Sequence, residues 1–302
     1  CLKNNKRQYY YSKVQNENVS EKSSASNECD VNIVAKDYSS ALYLAAQENH
    51  FEMVQLLVEK GANINFLTDE NMHALLVAAK KGFSPIVKYL LSGELPKDEA
   101  STQLLPLPRQ WSDPHVIDKF GFSVFHRSCS VGDVESARVL LFEHFVNPNT
   151  INFNYMTPLA SAIRQNKTGL VQLMLEYNEM IQTKKFVPKD DHLSLVPIPL
   201  HKHKLNAFHP PLQYASDRDI IQILLSHNYE HEPSLQEKNN TSKKTRSPVY
   251  SLVNEVDDEN HTSCLYSMLV TNEASASISD IEFLLEHANA DLLSTCEKYD
   301  KP

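Results

Sequence analysis

The chain has 302 residues, 41% hydrophobic and 22% charged, a composition that suits a folded globular protein. Its 29 basic residues against 38 acidic ones leave a net charge of -9, and such a surface repels phosphate backbones, which excludes general nucleic-acid binding. Six glycines are too few for a β-sandwich or a Gly-rich nucleotide fold, and no apolar run reaches the roughly 18 residues of a membrane span.

Residues 1–28 are rich in Asn, Ser, Lys and Glu, with Tyr9-Tyr10-Tyr11 as their aromatic cluster. They read as a solvated, disordered tail. The first residue is Cys1, not Met, so a fragment is expected. The five cysteines (Cys1, Cys29, Cys129, Cys264, Cys296) are scattered, odd in number and without a CxxC pair. That pattern fits a reducing compartment better than a disulfide framework or a zinc site. Cys129 and Cys264 fall in apolar helical patterns, as small buried hydrophobes.

Residues 29–93 contain a motif twice. Ala41-Leu42-Tyr43-Leu44-Ala45-Ala46 recurs 33 residues later as Ala74-Leu75-Leu76-Val77-Ala78-Ala79, and Cys29-Asp30-Val31-Asn32 as Ala62-Asn63-Ile64-Asn65. Residues 94–117 then interrupt the period with Pro96, Pro106, Pro108 and Pro114 around the single tryptophan, Trp111. Trp111 is either a binding anchor or a pin holding the inserted loop to its neighbours. Residues 118–179 resume the motif at Val124-Phe125-His126-Arg127-Ser128-Cys129 and Pro158-Leu159-Ala160-Ser161-Ala162-Ile163.

Each copy has the physical marks of two short helices. Ser40, Ser123 and Thr157 stand where an N-cap is needed, with His73 as the exception, and Pro158 takes the first helical position. Leu42, Ala45 and Ala46 form a narrow apolar stripe at helical spacing, and the alanines permit close approach of the next helix. Asn49, Gly82, Gly132 and Asn166 stand where that helix should end left-handed. A second helix follows, through Val54-Gln55-Leu56-Leu57 in the first copy, with Ser84-Pro85 read as cap and first residue in the second.

The later chain frays. Residues 180–204 form a second insertion carrying Pro188, Pro197 and Pro199, with His192, His201, His203 and His209 in or near it. Their spacing offers no helical pair and no cysteine, so no metal is expected. Residues 205–231 read as a degenerate fifth copy through Pro211-Leu212-Gln213-Tyr214-Ala215 and Ile220-Ile221-Gln222-Ile223-Leu224-Leu225. Residues 232–247 read as a flexible linker that includes the basic cluster Lys243-Lys244-Thr245-Arg246. Residues 248–302 hold a looser sixth copy from Cys264 to Leu285 and a truncated end without a polar cap, so further sequence is expected to follow.

With its 33-residue period, the segment from Lys36 through Gly61-Ala62-Asn63-Ile64-Asn65 resembles an ankyrin repeat, and Thr157-Pro158-Leu159 keeps most of that family's T-P-L-H-x-A pattern. The resemblance is clear over residues 29–178 and degenerate to about 291. It implies an all-α solenoid of stacked helix–turn–helix units with β-hairpin fingers. Tyr43, Leu76 and Ala160 stand where the family has histidine, so those copies are expected to lack a polar cross-link.

The resemblance also implies a non-catalytic scaffold or adaptor whose partner is another protein. No cofactor, metal or catalytic residue is expected, since no P-loop, GxGxxG, HExxH, GxSxG or kinase signature is present. The alternative is the cytosolic regulatory ankyrin region of a larger channel or multidomain enzyme. A cytoplasmic location is expected, with a nuclear one left open by the basic cluster. Partner identity and oligomeric state are not encoded in any pattern found.

Carried over by position, partner contacts fall on Lys36, Asp37, Ser39, Gln47 and Glu48 in the first copy. The second copy supplies Asp69, Glu70, Met72, Lys80 and Lys81. The third supplies Lys119, Phe120, Phe122 and Ser130, and the fourth Phe153, Asn154, Met156, Arg164 and Gln165. Met72, Phe120, Phe122, Phe153 and Met156 are expected to form either the apolar core of that site or a surface covered by the 94–117 insertion.

Overall fold

The computed structural model describes residues 30–92, 111–183, 195–198, 214–215 and 217–231, together with the single positions Glu282 and Leu285. Two compact units divide the chain, Cys1–Val31 and Asn32–Pro302, and of the first only Asp30 and Val31 are described. The second unit is an all-α solenoid, built among the described residues from four complete helix pairs and one further helix. The pairs are α1 (Ala41–Gln47) with α2 (Phe51–Glu59), α3 (Ala74–Lys81) with α4 (Ser84–Ser92), α5 (Val124–Val131) with α6 (Val134–Phe142), and α7 (Pro158–Arg164) with α8 (Thr168–Gln182). The further helix is α9 (Arg218–His231).

Helices this short are unstable alone and depend on caps and packing. Ser40, His73, Ser123 and Thr157 all have extended backbone, and each side chain accepts a hydrogen bond from the amide three residues on. His73 therefore belongs among the caps, because its Nδ1 takes the Leu76 N–H at 3.0 Å. At the other end Asn49, Gly82, Gly132 and Asn166 all have positive φ, from 53° to 97°. The amide of the next residue then reaches back five positions, as in His50 to Ala45 and Phe83 to Ala78, closing the same C-terminal motif in every pair. At Gly82 a side chain would also collide with Val131 of the next repeat, at 2.9 Å.

Ser84 departs from expectation. It lies inside α4 and does not cap it; its hydroxyl donates instead to Asp133 Oδ1 of the following repeat at 2.8 Å. Asp133 is the cap of α6, accepting from the Ser136 N–H at 3.0 Å. The free hydroxyl of one repeat thus fixes the cap of the next.

The inner helices α1, α3, α5 and α7 pack in chain order, as do the outer helices α2, α4, α6, α8 and α9. The inner seam is lined by small buried residues, Ala45 and Ala46, Ala78 and Ala79, Ser128 and Cys129, and Ala162. Larger side chains such as Leu75, Leu90, Phe125, Leu140 and Leu159 fill the space between inner and outer rows. Burial pushes the Cys129 thiol well up, so it behaves as an apolar side chain. In the fifth copy Ala215, Ile220, Ile221 and Leu224 are buried. Residues 205–213, where the sequence places most of that copy's first apolar block, lie outside the described residues, as does the sixth copy apart from Glu282 and Leu285.

The turn that closes each repeat is tied to the next by asparagine. Asn32 Oδ1 accepts from Asn63 N–H at 2.7 Å, and its Nδ2 donates to the Gly61 carbonyl at 3.3 Å. Asn65 repeats the pattern on the Asp113 N–H at 2.9 Å and the Trp111 carbonyl at 3.2 Å. The chain therefore re-enters the repeat register at Trp111, whose ring meets Tyr89 of α4 edge-on at 6.4 Å. Trp111 pins the returning chain. Asn149 likewise reaches the Pro197 carbonyl at 2.7 Å, and Asn178 holds both the N–H and C=O of Ile198 at 2.7 Å. Both proline-rich interruptions thus lie between the end of an outer helix and the turn that follows it. Their remaining residues, with His192, His201, His203 and His209, lie outside the described residues.

A core substitution and an outward one should separate packing from composition. Leu140→Ala, at a fully buried position of α6, is expected to cost about 3 kcal/mol in urea unfolding. Met53→Ala, at an exposed position of α2, should stay within about 0.5 kcal/mol.

Candidate partner-binding face

Four hairpin fingers, residues 34–40, 67–73, 117–123 and 151–157, precede the four inner helices. Antiparallel bridges join Val34 to Ser40 and Ile117 to Ser123. In each finger one residue takes positive φ: Tyr38 at 60°, Asn71 at 58°, Gly121 at 83° and Tyr155 at 57°. Gly121 suits that conformation, and a side chain there would strike the Phe153 ring at 2.8 Å and its backbone nitrogen at 2.9 Å. Tyrosine does not suit it, so two bulky rings are held in a backbone region that disfavours them.

The turns are braced from within by differing chemistry at one register. Asp118 Oδ1 accepts the Phe120 and Phe122 amides, both at 2.9 Å, while Oδ2 pairs with Arg127 through Nε at 3.0 Å and through Nη2. Asn152 does the same for the Asn154 and Met156 amides at 2.9 and 3.0 Å, without a charged partner. Thr68 Oγ1 takes only the Met72 amide, at 3.3 Å. Ala35 offers nothing, and Asp37 substitutes by accepting from the Ser39 N–H and hydroxyl. Those two bonds lower the Asp37 pKa, the hydroxyl foremost.

Neighbouring fingers are joined through their backbones. The Lys119 N–H donates to the Glu70 carbonyl at 2.9 Å, and Phe153 N–H to the Phe120 carbonyl at 3.0 Å. A Lys119–Glu70 ion pair at 2.6 Å crosses the same junction. His126 supports it from below. Its Nδ1 faces the Ser123 amide and hydroxyl, and its Nε2 donates to the Met156 carbonyl at 3.0 Å. The side chain closes a capping box and also reaches the next finger. His73, a repeat earlier, combines its cap with a bond from Nε2 to the Asp113 carbonyl at 3.1 Å. The second copy therefore has a polar cross-link despite Leu76 at the usual histidine position.

The structure sorts the expected contact residues into three groups. Lys36, Asp37, Glu48, Asp69, Glu70, Lys80, Lys81, Lys119, Asn154, Arg164 and Gln165 are exposed, as are Phe120 at 52% and Phe153 at 54%. Gln47, Phe122 and Ser130 are half-buried: Gln47 donates to Glu48, Ser130 to the His126 carbonyl, and Phe122 sits under the Arg127 guanidinium at 4.1 Å. Ser39, Met72 and Met156 are buried, the methionines at 2% and 9%. These three are corrections: the position before each N-cap turns inward and supports the finger, so these side chains offer no contact surface.

Two exposed aromatic residues of the fingers escaped sequence reasoning, Tyr38 and Tyr155. They occupy the left-handed position, where a glycine-like turn residue is expected and no side chain is sought. An aromatic residue at that register was the available signal.

Burial pushes the His126 pKa down to about 4, with the neighbouring Arg127 charge acting the same way, and burial also lowers that of His73. A histidine depressed in the fold binds its proton more readily when unfolded, so stability rises with pH. The His126 contribution is full above the unfolded value near 6.5 and is lost as pH falls toward about 4. The unfolding free energy from denaturant titrations should drop by up to about 3 kcal/mol across that window, and His126→Gln should flatten part of the slope.

Residues 13–100 match the family model for ankyrin repeats, in three copies. The chain is 42% identical over 57 residues to the ankyrin repeat and KH domain-containing protein mask-1 of Caenorhabditis elegans, covering 18% of this chain and 2% of that protein. It is 26% identical over 153 residues to a transient receptor potential cation channel subfamily A member 1 homolog of Caenorhabditis elegans, covering 51% and 11%. It is 22% identical over 194 residues to the putative ankyrin repeat protein FPV031 of Fowlpox virus, covering 63% and 48%. The matches therefore span less than half the length of each relative. Over residues 13–100 the capped helix pairs, the fingers ahead of each inner helix and the family match agree on ankyrin repeats, and the same capped pair and finger recur through residues 117–182.

Proposed function

We propose that this chain is a non-catalytic docking module whose third and fourth fingers hold a protein partner. Ankyrin repeats mediate protein–protein interaction, and the observation that supports a contact at these two fingers is aromatic. Phe120, Phe153 and Tyr155 are exposed on two fingers that share a backbone hydrogen bond. Large aromatic side chains contribute disproportionately to interfaces because they bury much area at small entropic cost. Rigid support beneath them reduces the ordering cost of binding further. Among the described residues no group of three potential metal ligands occurs, and no helix is long and apolar enough to cross a membrane.

A second reading, the regulatory ankyrin region of a larger protein, draws support from the small fractions of two relatives covered, 2% and 11%. Sequencing the transcript on both sides of this stretch separates the two readings. A membrane span or catalytic domain in the same frame selects the second. A cytoplasmic location, in keeping with five scattered cysteines without a CxxC pair, is part of the same proposal.

Phe120→Ser with Phe153→Ser tests the docking face. Phe122 is left intact, because it packs under Arg127 and beside His126, so changing it would confuse binding with folding. Affinity capture with quantitative mass spectrometry should lose the partner of the unmodified chain, with melting unchanged. Capture that persists in the double variant contradicts the proposal.

A further inference from the structure

Among the described residues some cations are paired with carboxylates and others are not. On the outer helices Lys88 pairs with Glu135 at 2.9 Å and Arg138 with Glu176 at 3.9 Å, and on the fingers Lys119 pairs with Glu70 and Arg127 with Asp118. Lys80 and Lys81, ending α3, are exposed and meet no carboxylate within ion-pair distance among the described residues. Arg164, ending α7, is exposed and reaches only the Met156 thioether, at 3.6 Å. Lys80 and Arg164 hold the same place in their inner helices, two residues before the left-handed position at Gly82 or Asn166. Among the described residues Lys36, Lys60 and Lys167 also meet no carboxylate within ion-pair distance. They are scattered over a finger, the end of α2 and the start of α8, whereas Lys80, Lys81 and Arg164 share the ends of inner helices.

Helix chemistry does not account for these three. Basic residues in a last turn favour the helix dipole, but α1 and α5 end at the same positions with Gln47-Glu48 and Ser130-Val131. The sign of this register is free to serve something else. The Arg164–Met156 contact places the guanidinium beside the fourth finger, whose tip carries Phe153 and Tyr155. Arg164 therefore borders the aromatic patch, and Lys80 and Lys81 hold the corresponding inner-helix end two repeats earlier.

We infer that this face docks a protein segment in which carboxylates are interspersed with aromatic or branched aliphatic side chains. Its carboxylates meet Lys80, Lys81 and Arg164, and its apolar groups lie on Phe120, Phe153 and Tyr155. The inference rests on the docking role of the fingers proposed above and adds the chemistry of the partner. A nucleic acid fits less well. Asp37, Asp69 and Glu70 on the first two fingers, and Glu48 at the end of α1, would repel a continuous phosphate backbone. Separate carboxylates on a peptide can be placed to avoid them.

Selection of random dodecapeptides displayed on phage against the full 302-residue chain tests this. Enriched peptides should combine Asp or Glu with Phe, Tyr, Trp, Leu or Ile. Labelled with fluorescein, they should lose at least about tenfold in affinity to the variant K80E/K81E/R164E, and less to K80Q/K81Q/R164Q. They should also weaken as salt rises toward about 0.3 M. All three positions are exposed, and unchanged circular-dichroism melting verifies that the variants fold. Enrichment of basic peptides, no enrichment, unaltered affinity in the charge-reversed chain, or preferential binding of a single-stranded oligonucleotide at these positions overturns the inference. Uncharged peptides that still require Phe120 and Phe153 overturn only the acidic assignment and leave the docking face standing. Peptides indifferent to both sets of variants overturn the two together.

Discussion

The register between successive repeats is the constraint on which everything else in this chain depends. An apolar seam between inner helices is non-directional, and alone it would allow one pair to slide against the next. Directional hydrogen bonds flank the seam at both ends. The fingers join at Lys119–Glu70 and Phe153–Phe120, and the turns join through Asn32, Asn65 and Asn149. Between them His126 and His73 carry cap chemistry from their own helices to the backbone that follows. Small residues at Ala45, Ala78 and Ala162 let the helices approach closely enough for those bonds to form. The face that the fingers present is rigid because this register is.

Much of this was legible from the residues because the repeat restates each physical requirement four times. A hydroxyl before an apolar stripe, and Asn or Gly at its end, are local demands of helix termini and need no tertiary knowledge. The finer errors came from side chains whose partners lie in another repeat. Ser84 looks like a cap until Asp133 is placed beside it, and His73 looks like an exception until its ring is seen between Leu76 and Asp113. Re-entry at Trp111 was equally hidden, since a proline-rich interruption conceals where the chain rejoins the array. Pattern reveals what a residue does to its own helix and is silent about what it does for the neighbour.

Which finger side chains are exposed was legible in part, and the misses share one reason. Position along a finger indicates which side chains stand near the tip, not which of them turn inward. Ser39, Met72, Phe122 and Met156 all precede an N-cap, and in all four the side chain is drawn at least partly into the base of the finger. Tyr38 and Tyr155 were overlooked because their backbone position argues for a side chain too small to matter. What survives is a strip whose character changes along the array, charged over the first two fingers and aromatic over the last two. Behind the second and fourth lie cations that meet no carboxylate among the described residues.

Residue-resolved hydrogen–deuterium exchange of the backbone tests the register most directly. The Lys119 and Phe153 amides at the finger junctions, and the Asn63 and Asp113 amides at the turns, lie near the surface but donate across repeats. All four should be protected to the same order as amides in the middle of α5. Exchange at the rate of an unstructured peptide at those four positions, with α5 still protected, would contradict an array held in register by its polar ends.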